Sequence, residues 1–318
     1  MRQLIFQNSG LIWLSSLFFA LLLMARSVSN YFKAKATSQA MLDLAEELKL
    51  RIRSWAFMIG IFGVALMLGK GAITFLFAAI SFFALQEFLL ITPSSKSDRL
   101  AIWTIFFIVL PIQYWLIKMN WYGLYSIFIP VFAITFLQLC AAIASDTVGY
   151  CNRTSQLQMS TLLCVYFPSY AAALLNLNIG DGTFENWKLL CFMILVGQSS
   201  DVLQYIFGKL FGRHKIAPLV SPNKTVEGFV GGVVSASLIG LSLKGLTPFT
   251  GLQAFVFALL ISIAGFLGGL VFSSVKRDRG VKDFGKLIPG HGGVLDRIDS
   301  LCFAAPLVFH LTRFYFGK

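Results

Sequence analysis

Long apolar stretches separated by short polar segments run along the whole chain. A helix needs about 20 apolar residues to cross the hydrocarbon core of a bilayer, and the stretches have about that length. The pattern therefore predicts an all-α integral membrane protein, a polytopic bundle of about ten transmembrane helices. The predicted spans are residues 9–25, 54–69, 71–92, 100–117, 121–145, 157–178, 187–207, 227–246, 251–272 and 299–316.

The first predicted span and the segment after it resemble a membrane anchor and a connector. Bulky residues and Arg26 follow the apolar run at 9–25, where a signal peptide would have small residues before its cleavage site. The run is therefore predicted to stay in the protein as a transmembrane helix. Residues 26–53 form a connector of mixed charge, in which residues 40–50 favour a short interfacial helix.

Composition supports the membrane prediction and adds a large positive charge. Of the 318 residues, 57% are hydrophobic and 13% are charged. Soluble domains carry about 25% charged residues, so the composition argues against a soluble single-core fold, and it excludes a disordered chain. The 26 lysines and arginines exceed the 14 acidic residues and give a net charge of +12. The five cysteines show neither metal-ligand spacing nor a disulfide pattern.

The cations are distributed unequally when the ten spans are placed in order. Nineteen of the 26 lie in the loops after the first, third, fifth, seventh and ninth spans, which all fall on one side. Cytoplasmic loops carry an excess of Lys and Arg, so this side is predicted to be cytoplasmic and both termini to face outward. The compact chain favours the cytoplasmic (inner) membrane of a bacterium. Membrane topology accounts for most of the charge, so no nucleic-acid partner is predicted.

Two of these loops are basic, rich in polar residues and punctuated by glycine and proline. The first follows Asp201 and Gln204, which share one face of an otherwise apolar span. An ionisable group inside a span is costly and therefore indicates a functional site. Within the loop, residues 221–225 resemble an N-terminal helix cap, whose free backbone N–H groups suit an anion. The basic side chains of the loop are compatible with topology alone and with phosphate binding.

The second loop, residues 273–299, interleaves carboxylates with cations. Carboxylates suit Mg²⁺, which bridges substrate phosphates, and cations suit the phosphates themselves. Asp296 and Asp299 are three residues apart and are predicted to share one face of a helix. The Gly-His-Gly-Gly run at 290–293 offers a backbone that a phosphate can approach without hindrance from Cβ atoms. Together these features indicate phosphoryl or nucleotidyl transfer to a lipid, with the catalytic loops facing the cytoplasm.

The second loop resembles the signature of the phosphatidate cytidylyltransferase (CDP-diacylglycerol synthase) family. That signature reads S-x-apolar-K-R-x4-K-D-x-small-x2-apolar-P-x-H-G-G-apolar-x-D-R-apolar-D, and residues 273–299 match every fixed position. The first loop is similar to the family in G-K-L-F-G-R-H-K at 208–215 and S-P-N-K-T-V-E-G at 221–228. Glu87 resembles an acidic position in an early helix of the family. The strong resemblance covers the chain from Asp201 onward.

The resemblance implies a reaction, a metal and a set of site residues. The family transfers the cytidylyl group of CTP to phosphatidate, which gives CDP-diacylglycerol and pyrophosphate, with Mg²⁺ and a second monovalent or divalent cation. No protein nucleophile is needed, because the lipid phosphate attacks the α-phosphorus of CTP. A homodimer in the lipid bilayer is also implied. The implied catalytic residues are Asp283, Asp296, Asp299 and Lys282; the implied metal ligands are Asp296, Asp299, Asp283, Ser273 and Asp201; the implied substrate-binding residues are Ser221, Asn223, Lys224, Thr225, Lys276, Arg277, His291, Gly292, Gly293 and Arg297.

This chain departs from the family pattern immediately before the signature. The family usually reads G-D-L-x-E-S there, with the Asp taking part in the metal site, whereas this chain has Gly269 and Phe272 in place of the two acids. Fewer carboxylates weaken Mg²⁺ binding unless another group, such as Asp201, substitutes. The departure indicates a divergent branch of the family. Two alternatives remain: a nucleotidyltransferase for a different lipid phosphate, and a non-catalytic or transport homologue on the same scaffold.

The motif residues are confined to the second half of the chain, which predicts two regions. Residues 1–140 are predicted to form N-terminal transmembrane helices with the cytoplasmic connector at 26–53. Residues 141–318 are predicted to form the C-terminal catalytic transmembrane region, which carries both motif loops. A transporter would place ionisable residues in both halves of an inverted repeat, so the enzyme is favoured over it.

Overall fold

Helices make up most of the chain that the structure describes. A computed structural model describes residues 39–93, 95–180 and 184–317. The helices are α1 (Gln39–Leu68), α2 (Lys70–Leu90), α3 (Lys96–Lys118), α4 (Tyr122–Ile143), α5 (Tyr150–Asn176), α6 (Asn186–Phe211), α7 (Val226–Ser242), α8 (Gly251–Asp278) and α9 (Leu295–Phe316), with a 3-10 turn at Lys244–Leu246.

Seven of the described helices are long and apolar enough to cross a membrane, namely α1 from Lys49 onward, α2 to α6, and α8. α7 is apolar but shorter, and α9 has the length but carries charged residues in its first turns. Large apolar side chains such as Phe57, Phe75 and Phe107 are exposed on the outside of the bundle, where a bilayer would cover them. The predicted all-α polytopic membrane protein is confirmed, whereas the count of ten spans stays a prediction.

Each predicted span after the first overlaps one of the nine helices, and the first, at residues 9–25, lies outside the described residues. The predicted interfacial helix at 40–50 is not separate, because it continues into the second span as one helix of 30 residues. No glycine or proline interrupts the chain between 39 and 59, so nothing ends the helix at the membrane surface. The rest of the connector, residues 26–38, lies outside the described residues.

Prolines accompany π-helical stretches in three consecutive helices. A proline inside a helix has no N–H to donate, and its ring clashes with the carbonyl of the preceding turn. A wider π-helical turn relieves that clash while the helix continues. The stretches are Ile105–Val109 before Pro111, Phe128–Ala133 around Pro130, and Leu162–Tyr166 before Pro168.

A short β-hairpin between α6 and α7 was not predicted. β1 (Lys215–Ala217) pairs in antiparallel fashion with β2 (Ser221–Thr225). The predicted helix cap is present at its end, because the Thr225 hydroxyl accepts the N–H of Gly228 at 3.1 Å. The Glu227 carboxylate accepts backbone N–H groups at the start of the hairpin, the shortest at 2.9 Å. α7 therefore begins with its first turn tied to both ends of the hairpin.

Glycines let the helices of the second half approach closely. A Cβ at Gly232 of α7 would lie 2.6 Å from the backbone nitrogen of Gln204 on α6. A Cβ at Gly268 of α8 would lie 2.6 Å from the carbonyl oxygen of Asp299 on α9. Because only glycine leaves room for such contacts, these positions set the distances between neighbouring helices. The close packing holds α6, α7, α8 and α9 in one group and fixes the loops that join them.

We expect Gly232→Ala to destabilise the protein by about 1–3 kcal/mol, because a methyl group there must push α6 away from α7. Thermal unfolding of the purified protein in detergent measures the change. Gly60→Ala is the matched control, since no atom lies within 4 Å of a Cβ at Gly60. Equal melting temperatures for the two variants would contradict the close α6–α7 contact.

Candidate active site

The loop from α8 to α9, residues 279–294, contains much of the family signature, and we call it the signature loop. It turns sharply at three glycines. Gly280, Gly290 and Gly292 have φ angles of +67°, +75° and +82°, in the left-handed region that favours glycine. The N–H of Ile288 donates to the carbonyl of Gly292 at 2.9 Å, and the N–H of His291 donates to the carbonyl of Ile288 at 3.0 Å. The glycines on either side of His291 are therefore required by the turn that presents it.

A carboxylate from α2 caps the start of α9. Glu87 accepts the backbone N–H groups of Val294 and Leu295, both at 2.9 Å. The first N–H groups of a helix have no partner inside the helix, so this carboxylate satisfies two donors that would otherwise be unpaired. Room for it comes from Gly285 and Gly293, where any Cβ would clash with the Glu87 side chain. The contact ties the first half of the chain to the signature loop.

Asp296, in the first turn of α9, also holds the signature loop in place. One oxygen of its carboxylate accepts the N–H groups of Phe284 at 2.8 Å and Gly293 at 3.0 Å. The other oxygen accepts the Lys276 ammonium at 2.8 Å, and the Asp296 side chain is only 3% exposed. Asp296 and Lys276 therefore position the loop in this structure, and their implied contacts with metal and substrate stay predictions.

A cavity of about 560 Å³ opens between α1 and the signature loop. Sites for small ligands commonly measure about 300–1,000 Å³, so this cavity has the size of a ligand site. Its cationic side chains come from α1, the loop and the start of α9, and such side chains suit phosphate groups. The lining residues of this basic cavity are Arg51, Lys282, Asp283, Gly285, Lys286, Ile288, Pro289, Gly290, His291, Gly292 and Arg297.

Two side chains of the basic cavity contain buried polar atoms without a partner. Nδ1 of His291 and Nε of Arg297 make no hydrogen bond to the described residues. Buried polar atoms are nearly always hydrogen-bonded, so these two atoms are open to a partner from water or from a ligand in the cavity. Burial lowers the pKa of His291, and the positive charge of Arg297 lowers it further. A neutral imidazole at pH 7 can donate one hydrogen bond and accept another.

A second group of charged residues lies between α6, α8 and α9. Asp201 and Asp299 are close enough to repel each other, and Lys224 and Arg297 attract both. Asp201 is exposed even though many protein atoms surround it, so its side chain lines a crevice. We call Asp201, Lys224, Arg297 and Asp299 the charged crevice. Arg297 belongs to both the crevice and the basic cavity, so the two spaces meet at its side chain.

Gly269 makes room for the ammonium group of Lys224. A Cβ at Gly269 would lie 2.7 Å from Nζ of Lys224 and 3.9 Å from Oδ2 of Asp299. The same Nζ donates to the carbonyl of Phe266 at 3.3 Å and lies 4.6 Å from the centre of its ring. Burial lowers the pKa of Lys224, although Asp299 and Asp201 oppose the shift. An ammonium group therefore occupies the space of the acid that the resemblance would place at 269.

The other predicted residues of α8 contact the protein backbone. Arg277 donates to the carbonyls of Val220 and Val281, both at 3.2 Å, and so joins the β-hairpin to the signature loop. Ser273 donates its hydroxyl proton to the carbonyl of Gly269 at 2.6 Å. The oxygen of that hydroxyl keeps lone pairs, so its implied contact with a metal stays a prediction.

Four of the predicted substrate residues lie on β2. Thr225 is 2% exposed, and its hydroxyl caps α7, so its role in this structure is to position the strand. Lys224 reaches the charged crevice, whereas Asn223 is exposed and Ser221 is half-buried. Among these four, Lys224 therefore lies near enough to Asp201 and Asp299 for its charge to attract both carboxylates.

The carboxylates implied as metal ligands divide between three places. Asp283 lines the basic cavity, Asp296 holds the loop, and Asp201 and Asp299 face each other in the charged crevice. Within the described ranges, no three His, Cys, Asp or Glu side chains lie close enough together to hold a metal. Mg²⁺ is usually bound by one or two carboxylates, water and substrate phosphates, so the Asp201–Asp299 pair fits such a site.

The contribution of α1 to the basic cavity is not predicted from the sequence. Ser54 donates its hydroxyl proton to the carbonyl of Pro289 at 2.8 Å, and the Trp55 ring meets His291 edge-on at 6.0 Å. Arg51 lies on the same helix face and lines the cavity. The spacing of these three residues is a weak sequence signal, because nothing in it shows which loop they meet.

Sequence comparisons connect this geometry to known proteins. A sequence model of the cytidylyltransferase family matches residues 49–315. The chain is 37% identical over 300 residues to the uncharacterized protein YnbB of Escherichia coli strain K12, across 93% of this chain and 96% of that protein. It is 44% identical over 126 residues to a phosphatidate cytidylyltransferase of Staphylococcus saprophyticus, and 40% over 127 residues to one of Staphylococcus aureus.

The two staphylococcal matches each cover 39% of this chain and 48% of the enzyme, so the chain spans about half the length of these relatives. The family match is longer, running from α1 to α9, and it contains every residue that lines the basic cavity and the charged crevice. The chain belongs to the cytidylyltransferase family.

Proposed function

We propose that the protein transfers the cytidylyl group of CTP to a lipid phosphate, with phosphatidate as the first candidate acceptor. The products would be CDP-diacylglycerol and pyrophosphate. The basic cavity carries the proposal, because cations from three parts of the fold surround a space of ligand size. Family membership supports the cytidylyl group, and the two staphylococcal relatives support phosphatidate.

The phosphates of CTP would bind in the basic cavity. Lys282 and Lys286 offer exposed ammonium groups there, and His291 and Arg297 offer polar atoms without a partner among the described residues. The positive charge of Arg297 also attracts the Asp299 carboxylate in the charged crevice. A phosphate that pairs with Arg297 therefore lies where the cavity meets the crevice. It is there close to the side chains that would neutralise the negative charge of the reacting phosphates.

The transfer itself needs no nucleophile from the protein. An oxygen of the lipid phosphate attacks the α-phosphorus of CTP, the bond from that phosphorus to the bridging oxygen of the β-phosphate breaks, and pyrophosphate leaves. Catalysis then rests on positioning and on charge neutralisation, to which Lys224 and Arg297 contribute positive charge. A Mg²⁺ ion held by Asp201 and Asp299 would neutralise further charge on the phosphates.

The position of the charged crevice supports a lipid acceptor. Asp201 lies on α6, which is long and apolar enough to cross a membrane, and its side chain is exposed there. A phosphate group that reaches Asp201 and Asp299 must therefore approach beside a membrane helix. Lipid phosphates occupy the bilayer surface and can approach in this way.

We place the site on the cytoplasmic side of a bacterial inner membrane. The four cations of the basic cavity, Arg51, Lys282, Lys286 and Arg297, belong to the set that the positive-inside rule assigns to the cytoplasm. The relatives named above come from bacteria. The homodimer implied by the resemblance stays a prediction.

A different lipid phosphate is the second candidate acceptor, and two observations favour it. Gly269 replaces an acid of the family pattern, and Lys224 occupies the space. YnbB matches nearly the whole chain, whereas the matches to phosphatidate cytidylyltransferases cover 39% of it. The replacement at Gly269 lies beside the proposed position of the acceptor phosphate, and it is consistent with a lipid other than phosphatidate. The long match to YnbB is consistent with a branch that is separate from the phosphatidate cytidylyltransferases.

The direct test uses purified protein in detergent with radiolabelled CTP, Mg²⁺ and phosphatidate. We expect label in the lipid extract as CDP-diacylglycerol. Label on another lipid phosphate, but none on phosphatidate, would favour the second candidate. The absence of both CTP binding and labelled product with every lipid phosphate would exclude both enzymes and leave the non-catalytic homologue.

We expect Arg51→Ala to raise the KM for CTP about three- to fivefold with little change in kcat, because one exposed cation contributes modestly to phosphate binding. Steady-state kinetics with saturating lipid measures both constants. Arg53→Ala is the matched control, since Arg53 is exposed on the same helix but does not line the cavity. Equal KM values for the two variants would contradict a role for α1 in nucleotide binding.

A further inference from the structure

A second cavity, of about 520 Å³, lies near the other end of α9 from the candidate active site. With a rise of 1.5 Å per residue, Arg313 is about 25 Å along the helix from Asp296. That distance approaches the thickness of the hydrocarbon core, about 30 Å, so the two cavities open near opposite membrane surfaces. The lining residues of this second cavity are Tyr122, His310, Leu311, Arg313, Phe314 and Gly317.

Three polar side chains meet in the second cavity. The guanidinium carbon of Arg313 lies 3.7 Å from the centre of the Tyr122 ring, which holds the charge in place by a cation–π contact. The Tyr122 hydroxyl lies 3.5 Å from Nδ1 of His310, and the His310 ring packs on Tyr170 at 4.9 Å. Among the described residues, no carboxylate forms an ion pair with Arg313. A fixed guanidinium with this environment suits a phosphate.

The rest of the second cavity is apolar and continues onto the outer surface of the bundle. Leu311 and Phe314 line it, and Phe314 is 80% exposed. Tyr315 and Trp121 are exposed beside it, and tyrosine and tryptophan are enriched where the bilayer meets water. A phospholipid can lie along such a surface with an acyl chain while its phosphate meets Arg313, whereas a soluble phosphate leaves the apolar surface uncovered.

We propose that the second cavity binds the headgroup phosphate of a phospholipid from the leaflet opposite the candidate active site. Arg313 pairs with the phosphate, Tyr122 and His310 offer hydrogen bonds, and an acyl chain lies along Leu311 and Phe314. The inference does not depend on cytidylyl transfer, because no residue of the second cavity belongs to the basic cavity or to the charged crevice.

Native mass spectrometry of the protein in mild detergent tests this proposal. The probes are phosphatidylglycerol and diacylglycerol, which share acyl chains but differ in the phosphate. We expect the wild type to retain phosphatidylglycerol and not diacylglycerol, and Arg313→Gln to retain about tenfold less. Lys118→Gln is the control, because Lys118 is an exposed cation at the same end of the bundle and does not line the cavity.

Further measurements separate charge from packing and lipid from soluble phosphate. Arg313→Lys keeps the charge and should retain more lipid than Arg313→Gln, while the melting temperatures show whether each variant is folded. Should Arg313→Gln not fold, Tyr122→Phe keeps the ring under the guanidinium and should still lower retention by losing the hydroxyl. Retention of diacylglycerol equal to that of phosphatidylglycerol would overturn the proposal. Wild-type retention of phosphatidylglycerol in folded Arg313→Gln or folded Tyr122→Phe would also overturn it. Displacement of the lipid by millimolar glycerol phosphate would overturn the assignment to a lipid.

Discussion

Glu87→Gln is expected to lower kcat for cytidylyl transfer about 100-fold and to destabilise the folded protein. The carboxylate accepts the N–H groups of Val294 and Leu295, one on each oxygen, and glutamine replaces one of these oxygens by an NH2 group that cannot accept. The donor left unpaired costs about 1–3 kcal/mol. A shift of about 1 Å in the signature loop then misplaces the phosphate groups, and misplacement of that size can cost about 100-fold in rate.

Single-turnover kinetics and thermal unfolding in detergent measure these two effects. Glu87 acts as a positioning residue, so kcat should fall while CTP still binds, which separates its role from that of a ligand for the nucleotide. Gln86→Ala is the matched control, because Gln86 is the exposed neighbour of Glu87 on α2. Wild-type kcat in a folded Glu87→Gln protein would show that α9 does not need this cap.

Gly269→Asp is expected to lower the Mg²⁺ concentration for half-maximal rate about tenfold. The new carboxylate would stand beside Asp299, whose Oδ2 is 3.9 Å from the Cβ position, and would add a charged oxygen ligand to the crevice. The atom in its way is Nζ of Lys224, 2.7 Å from that position, at the flexible end of a long side chain. Lys224 can therefore move aside and pair with the new carboxylate, so the protein should still fold.

Gly269→Asn is the matched control for this change, because asparagine has the same size without the charge. Titration of the rate with Mg²⁺ compares the two variants with the wild type. A loss of activity in Gly269→Asp together with normal activity in Gly269→Asn would contradict the expectation. The ammonium of Lys224 would then be required in its present place, and the charged crevice would depend on that cation rather than on a further acid.

The apolar helices were predictable because the bilayer imposes a pattern that a single sequence displays. Each span needs about 20 apolar residues, whatever it packs against, so the lengths alone locate nine segments that the structure shows as helices. The continuation of the helix at residues 40–50 into the span was not predicted, because the change from polar to apolar residues suggests a helix end, although no glycine or proline ends α1 there. The β-hairpin was missed because its strands depend on Glu227 and the packing of α7.

The candidate site was only partly predictable, since spacing shows which residues share a face and not what that face meets. Asp296 and Asp299 are on one helix as predicted, yet Asp296 accepts hydrogen bonds from α8 and from the signature loop, and Asp299 faces the charged crevice. Arg51 and Glu87 come from helices far away in the chain, so their parts depend on tertiary packing. The glycine at 293 makes room for Glu87, which no pattern within the loop reveals.

The contact between Glu87 and Leu295 spans 208 positions of the chain, which has a consequence for biogenesis. α2 is synthesised before α9, and α9 carries Asp296, Arg297 and Asp299 in its first turns. Such a helix has little tendency to enter a bilayer alone, so it needs partners that already stand there. The signature loop therefore acquires its shape only after α9 has joined α2, and a chain truncated before α9 lacks the site.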